Sequence, residues 1–527
     1  MLPLVHRRGF WPITIVVLAL LPRLVFLLIS KHPGLWDPTE YYNLAVNLHD
    51  GRGFTLDYIW NFANHPESVS HPLDHWLPLP GVLAAGSFAL FGVSVQAALL
   101  PFVLLGAVQS LLVYAFAGRI GASRATQVFA ALATTYLPWL FLSSVHTDTT
   151  TLFGVLGFAC MAAVYLGTVG DGRWYWAAGL CTGLAILTRN DGVMLVPSGG
   201  LGALWLAWRK QGRIPWRQVV IGGVLGLIVL VPWLLRNQSE LGEPWPGSTA
   251  QSLFVTEHED FYAYSKEISL NTYLDQGVIT IIKKMIFELA ASVKLMLVML
   301  ELIFPVAVVG ALLDVVTKRF RQNHDGPEIA PFVPGLLFIL LTFLAYGVLM
   351  PYLSQAGSFK KAYLAMVPFL LILGAGTVER YVQPRWAFRA AATITLVLLL
   401  VNAVELTRAD FKLNNQQKTM YEKIGTKLDE LQKTEDREII VMTRDPWSIN
   451  FVTGYRAVMV PNEPLDVILE VADRYGVTYL LAPVPREAIS AIDRGEVEEP
   501  RLERVVEFPD YGQYLYRILP PAKDIGE

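Results

Sequence analysis

The chain has 527 residues, 53% of them hydrophobic and only 17% charged, and its mean hydropathy of +0.42 exceeds that of an ordinary soluble domain, which marks an integral membrane protein. A formal net charge of −3, from 42 Lys and Arg against 45 Asp and Glu, lacks the basic excess of a nucleic-acid binder. The two cysteines, Cys160 and Cys181, fall in apolar runs, which excludes a disulfide framework, a cysteine zinc site and thiol chemistry.

A membrane-crossing helix needs roughly 20 mostly apolar residues, and about eleven candidate runs follow along the chain. They are Phe10 to Ile29, Ser94 to Gly118, Thr126 to Ser143, Thr149 to Val169, Trp174 to Leu187, Gly192 to Trp208, Val219 to Leu235, Ala290 to Val316, Pro331 to Met350, Ala362 to Val378 and Phe388 to Val404. Trp174 to Leu187 is short, and Leu77 to Phe91, opened by prolines, reads as half inserted. The first run is too long for a signal-peptide core and no cleavage pattern closes it, so it is expected to remain as an anchor. With the N-terminus inside, the inner segments are all basic: Arg7-Arg8, Arg119 to Arg124, Arg173, Arg209 to Arg217, Lys318 to Arg321 and Arg380 to Arg389. The outer segments hold Asp37, Glu40, Asp50, Asp57, Glu67, Asp74, Asp148, Asp191 and the acidic stretch Glu240 to Asp260, the asymmetry that the positive-inside rule requires.

The expected architecture is thus a polytopic α-helical membrane domain over 1–404, with outer loops 30–76 and 236–289, and a small α/β domain over 405–527 outside the membrane. In that tail an amphipathic stretch from Leu413 to Gln432 precedes strand-like and helical runs at Glu438 to Thr443, Ala457 to Val460, Leu465 to Tyr475, Val477 to Ala482, Leu502 to Phe508 and Gln513 to Leu519. No inverted repeat of the transporter kind is visible.

Chemistry-bearing residues concentrate on the acidic outer face. Asp37, followed by Pro38 and Glu40, fits the N-cap of an amphipathic helix ending at Gly51; a carboxylate there is equally placed to act as a general base, and the two roles are compatible. His71, Asp74 and His75 lie within one turn of chain. A divalent metal on His71 and His75, with Asp37 or Asp148 completing the set, is one reading; hydrogen bonding at the lipid headgroups, with Trp76 as interface anchor, is the other. Asp148 caps the run from Thr149 or serves catalysis, and Arg189 pairs with Asp191 or faces a phosphate. Lys360 and Lys361 lie on the side where the positive-inside rule disfavours them, consistent with anionic headgroups or with a bound lipid phosphate. Arg23, and Lys294 with Glu301, are ionisable at membrane depth and are expected to face the bundle interior, the last two sharing a helix face.

These residues resemble the GT-C glycosyltransferases, in particular the bacterial enzymes similar to protein O-mannosyltransferases and the lipid A aminoarabinose transferase. The resemblance rests on Asp37-Pro38-Thr39-Glu40-Tyr41-Tyr42 with Gly51 and Gly53, on Trp76 to Pro80, on Leu187-Thr188-Arg189 with Gly192, on Pro232 to Asn237, and on Gly357-Ser358-Phe359 ahead of Tyr363 and Pro368. It implies transfer of a sugar, with inversion, from a polyprenyl-phosphate donor to a protein, lipid or glycan acceptor at the outer face of a bacterial-type cell membrane. It assigns Asp37 as general base, Glu40 as its support and Asp148 as a second active-site acid. Arg189, Lys360 and Lys361 then meet the donor phosphate, and Tyr41, Tyr42, His71, His75 and Arg236 the substrates. Many relatives carry an adjacent Asp-Glu pair, whereas Pro38 and Thr39 separate Asp37 from Glu40. Some family members need a divalent metal and others do not. A transporter or flippase is the competing class, disfavoured by the carboxylate-rich outer loop and the α/β tail.

Overall fold

The computed structural model describes residues 9–245, 251–301, 329–350, 357–382, 384–484 and 486–521. Seven helices among them are long and apolar enough to cross a membrane: Phe10–Ile29, Val95–Arg119, Thr149–Val169, Trp216–Glu240, Ala330–Leu349, Ser358–Tyr381 and Arg385–Gln432. The surface of Phe10–Ile29 fits lipid contact. On Phe10–Ile29, Ile13, Val17, Leu21, Val25 and Leu28 form an exposed stripe, while Ile15, Ala19, Arg23 and Phe26 are buried. A stripe at that spacing on an apolar helix faces hydrocarbon, because lipid contact costs an aliphatic side chain nothing.

Several expected spans are altered. The run from Thr126 to Ser143 breaks into helices Arg124–Tyr136 and Pro138–Ser143, since the ring of Pro138 pushes Leu137 out of the helical region to ψ 120°. Trp174–Ile186 and Leu195–Trp208 have 13 and 14 residues, each short of a full crossing. The run expected from Ala290 starts at Val278, and its C-terminal part, like Arg7-Arg8, Lys318 to Arg321 and Pro351 to Ala356, lies outside the described residues. Glu301 falls beyond the end of that helix, where its carboxylate accepts a hydrogen bond from Asn402 Nδ2 at 3.2 Å, so it does not continue the helix face of Lys294.

The chain forms two compact units, one of residues 1–33, 76–236 and 278–411, the other of 34–75, 237–277 and 412–527. Residues 34–75 and 237–277 thus group with 412–527. In the first unit Phe116, Phe158 and Phe369 make the aromatic centre, with Phe158 and Phe369 ring centroids 4.5 Å apart. Arg23, 1% exposed, is satisfied inside the bundle by Ser144 Oγ, Ala19 O and Thr135 O at 2.6 to 2.9 Å. Helices Trp174–Ile186 and Trp216–Glu240 approach backbone to backbone: a Cβ on Gly179 would lie 1.9 Å from Gly222 O, and one on Gly222 would lie 2.1 Å from Tyr175 O. The pattern is Gly179-x-x-x-Gly183 against Gly222-x-x-x-Gly226, small residues admitting close dispersion contact where no hydrophobic drive separates helix from lipid.

The second unit is α/β. Strands β1 (Thr55–Leu56), β2 (Tyr58–Ile59) and β3 (His71–Pro72) come from the first loop; β4 (Ile440–Thr443), β5 (Arg456–Met459), β6 (Tyr479–Ala482), β7 (Leu502–Phe508) and β8 (Gln513–Ile518) come from the tail. One six-stranded sheet runs β2-β5-β4-β6-β8-β7. Its first four strands are parallel and β6, β8 and β7 pair antiparallel. The pairing Tyr58↔Ala457 and Ile59↔Val458 ties the first loop into the tail sheet. The fully buried β4 and β6 read as continuous apolar runs, as parallel strands covered on both faces should. Tyr421, Ile424 and Leu428 bury one stripe of Arg385–Gln432, the expected Leu413 to Gln432 amphipathic stretch being the continuation of that helix.

Candidate active site

In the second unit, the helix bearing Asp37 runs Asp37–His49. The N-cap expected at Asp37 falls instead on Trp36, whose carbonyl accepts the Glu40 N–H at 3.0 Å; Asp37 is the first helical residue. Trp36 is 61% exposed and held at φ 59°, a region that costs a bulky residue backbone strain. Thr39 Oγ1 donates to Gly34 O at 2.5 Å, closing the turn that sets the helix start. Asp37 is partly exposed at this N-terminus.

Glu40 is fully buried, and its Oε2 accepts the Tyr58 hydroxyl at 2.6 Å. Burial, with Asp37 and Asp74 adding like charge against the hydrogen bond from Tyr58, pushes its pKa up to about 8. At neutral pH it is mostly protonated and is no proton acceptor. Tyr41 is 1% exposed, and Tyr42 packs edge-on to Phe451 at 5.0 Å. Both are buried, whereas Asp37 on the same helix is partly exposed.

His71 is buried, its Nδ1 3.0 Å from Val69 O and its Nε2 3.9 Å from Asp74 Oδ1. Asp74 accepts from Asn64 Nδ2 at 2.8 Å. His75 stands edge-on to Trp60 at 4.8 Å, and burial lowers its pKa. Among the described residues no three His, Cys, Asp or Glu side chains gather closely enough to hold a metal ion, and Asp148 belongs to the other unit.

In the first unit, Asp148 caps Thr149–Val169, accepting from Thr150 N at 2.7 Å and Thr150 Oγ1 at 2.8 Å, and it pairs with Lys361 Nζ at 3.1 Å. Burial would raise the carboxyl, but Lys361 and the Thr150 hydrogen bonds outweigh it and hold it well below the usual carboxylate range. Asp148 is thus a fixed anion and a poor base. Arg189 grips Asp191 with both ends of its fork at 2.9 Å and also reaches Thr149 Oγ1 at 3.3 Å and Ser358 O at 3.1 Å. Burial opposes its charge, but Asp191 more than compensates and raises its pKa. Since Thr149 Oγ1 also lies 3.3 Å from Asp148 Oδ1, one network joins Asp148, Lys361, Arg189 and Asp191 at the ends of three helices. Tyr346 adds a hydrogen bond to Asp191 at 3.2 Å. Lys360 lies 4.3 Å over the Trp139 ring, and the Arg236 guanidinium 5.0 Å over Trp233. Sequence reasoning reached the Arg189–Asp191 pair but missed the Lys361–Asp148 pair, Thr149 as bridge and Tyr58 as the partner of Glu40, none of which has a local sequence signal.

Residues 70–235 match the family model described as dolichyl-phosphate-mannose-protein mannosyltransferase. No curated protein matches the chain. Among solved structures, ArnT from Cupriavidus metallidurans bound to undecaprenyl phosphate is similar with a TM-score of 0.60 at 15% identity, covering 98% of this chain and 100% of that one. The Archaeoglobus fulgidus oligosaccharyltransferase tethered to an acceptor peptide gives 0.51 at 13% identity over 98% of this chain and 75% of its own. The arabinofuranosyltransferase AftD from mycobacteria gives 0.50 at 13% identity over 98% and 40%. At these identities the likeness is one of fold. The chain therefore has, over nearly its whole length, the fold of the GT-C membrane glycosyltransferases, and it is similar in sequence to the mannosyltransferase family over residues 70–235.

Proposed function

We propose that the protein is an inverting glycosyltransferase that moves a sugar from a polyprenyl-phosphate donor to an acceptor at the outer face of a bacterial-type cell membrane, with the N-terminus cytoplasmic and the α/β unit outside. The observation that carries this reading is the likeness, over 98% of the chain, to ArnT in a structure that holds undecaprenyl phosphate. In the reaction the acceptor hydroxyl gives its proton to the Asp37 carboxylate while its oxygen bonds to the anomeric carbon. The bond from that carbon to the phosphate oxygen breaks, and its electron pair leaves on the lipid phosphate. The leaving group is stable, so catalysis is mainly alignment, a base and nearby positive charge.

The charged residues divide accordingly. Asp37 is the base; Glu40, protonated, shapes the helix behind it. Lys361 and Arg189 meet the donor phosphate, and Asp148 and Asp191 hold them in place, so that the network is near neutral before the donor arrives. Lys360, over the Trp139 ring, adds positive charge for the donor phosphate, and Arg236, over the Trp233 ring, contacts substrate. The test is to incubate the purified protein in lipid nanodiscs with a panel of polyprenyl-phosphate sugars, scoring donor hydrolysis and glycoside formation by mass spectrometry. Consumption of one donor supports the reading. Solute counterflow without turnover of any donor contradicts it and favours a transporter.

A further inference from the structure

The second unit contains a feature that the donor chemistry does not use. Segments 61–65 and 251–268, with His75, enclose a cavity of about 180 Å³. Phe62, Phe261 and Tyr264 line it; Phe62 and Tyr264 stand edge to face at 5.5 Å, and His75 meets Phe261 edge-on at 6.4 Å. Asn61, only 5% exposed, accepts the Ala63 N–H at 3.2 Å through Oδ1, and its Nδ2 has no hydrogen-bond partner among the described residues. Asp260 is buried against Lys266 at 2.5 Å, with its other oxygen held by Thr256 and the Glu257 N–H. The cavity thus combines ring faces, an idle amide donor and a neutralised ion pair.

That combination discriminates among ligand classes. A phosphate is disfavoured because the lining sets Asp260 and Glu267 against the single lysine Lys266, leaving an excess of negative charge. A lipid chain would leave the Asn61 amide unsatisfied, at a cost of about 1 to 3 kcal/mol for a desolvated donor. A pyranose ring offers an apolar C–H face to the aromatic rings and hydroxyls to the amide. His75 lines the cavity and belongs, with Asp37, to the second unit.

We infer that this cavity holds a sugar ring of the acceptor, so that the acceptor is a saccharide whose hydroxyl is presented towards Asp37. The inference rests on the transferase reading above and adds to it the class of the acceptor. The experiment measures equilibrium binding to full-length protein in nanodiscs, without donor. The probes are fluorescently tagged disaccharides of glucose, galactose, mannose and N-acetylglucosamine, with a serine/threonine peptide and undecaprenyl phosphate alongside. At least one disaccharide should bind saturably, and Tyr264→Ala should weaken it about tenfold, as should Asn61→Asp, which keeps the acceptor for Ala63 N–H and removes the amide donor. Retained undecaprenyl phosphate binding shows that each variant is folded. Absence of saturable disaccharide binding at millimolar concentration, binding indifferent to both substitutions, or preference for the peptide overturns the inference. The two readings fail separately: disaccharide binding in the cavity without turnover of any polyprenyl donor removes the transferase reading alone, whereas donor turnover without disaccharide binding removes the saccharide cavity alone.

Discussion

Replacing Glu40 by Gln should stabilise the protein above neutral pH, an unusual outcome for a substitution at a fully buried position. The carboxyl has an ordinary value of 4.5 and is raised by burial to about 8. Below pH 4.5 it is protonated in both folded and unfolded chains. Between 4.5 and 8 the unfolded chain releases the proton and the folded chain keeps it, so stability is lost as pH rises and the loss is complete near pH 8. At about 1.4 kcal/mol per pH unit across that interval, the cost is about 3 kcal/mol at pH 7 and about 5 kcal/mol above pH 8, as upper figures. Glutamine never ionises and can still accept the Tyr58 hydroxyl. Thermal unfolding followed by intrinsic fluorescence between pH 4 and 9 should show the wild type weakening with pH more steeply than Glu40→Gln, with the two converging near pH 4.5. Parallel pH profiles, or a variant less stable at pH 8, would refute the argument that Glu40 is held protonated.

Three further outcomes follow from other contacts. Lys361→Gln strands the Asp148 carboxylate in a site where its side chain is only 13% exposed. It should destabilise the protein by roughly 3 kcal/mol, and the double variant Lys361→Gln/Asp148→Asn should recover much of that in a denaturation series. Gly222→Ala places a methyl group against the Tyr175 carbonyl; the backbone has little room to yield, so loss of about 1 to 3 kcal/mol or failure to fold is expected by thermal denaturation in detergent. Arg189→Gln should raise the donor dissociation constant at least tenfold while leaving acceptor binding near wild type, read by titration with a non-hydrolysable donor.

The membrane helices were legible wherever length and hydropathy act alone, as in Phe10–Ile29 and Thr149–Val169, whose bounds match the apolar runs. Reading was poorer where tertiary contacts decide. Pro138 breaks one run, and Gly179 and Gly222 let two helices touch through their backbones. Apolar runs in the tail coincided with β4, β5 and β6, because buried strands carry their own composition signal; the runs over β7 and β8 matched by alternation. That β2 of the first loop completes the tail sheet has no such signal, since a pairing across nearly 400 residues is set by register rather than by local pattern. At the candidate site, charge and spacing pointed to Asp37, Asp148 and Arg189. They did not show that Glu40 is sealed behind Tyr58 or that Lys361 is committed to Asp148, because burial and pairing depend on segments distant in sequence.

In the proposed reaction Asp37 takes the acceptor proton. The most direct test is single-turnover transfer by purified Asp37→Asn protein, using whichever polyprenyl-phosphate sugar the wild type consumes. Donor binding should be unchanged, the wild type should give a glycoside of inverted configuration, and the rate in the variant should fall by about two to four orders of magnitude. A variant that transfers at the wild-type rate would contradict that role for Asp37.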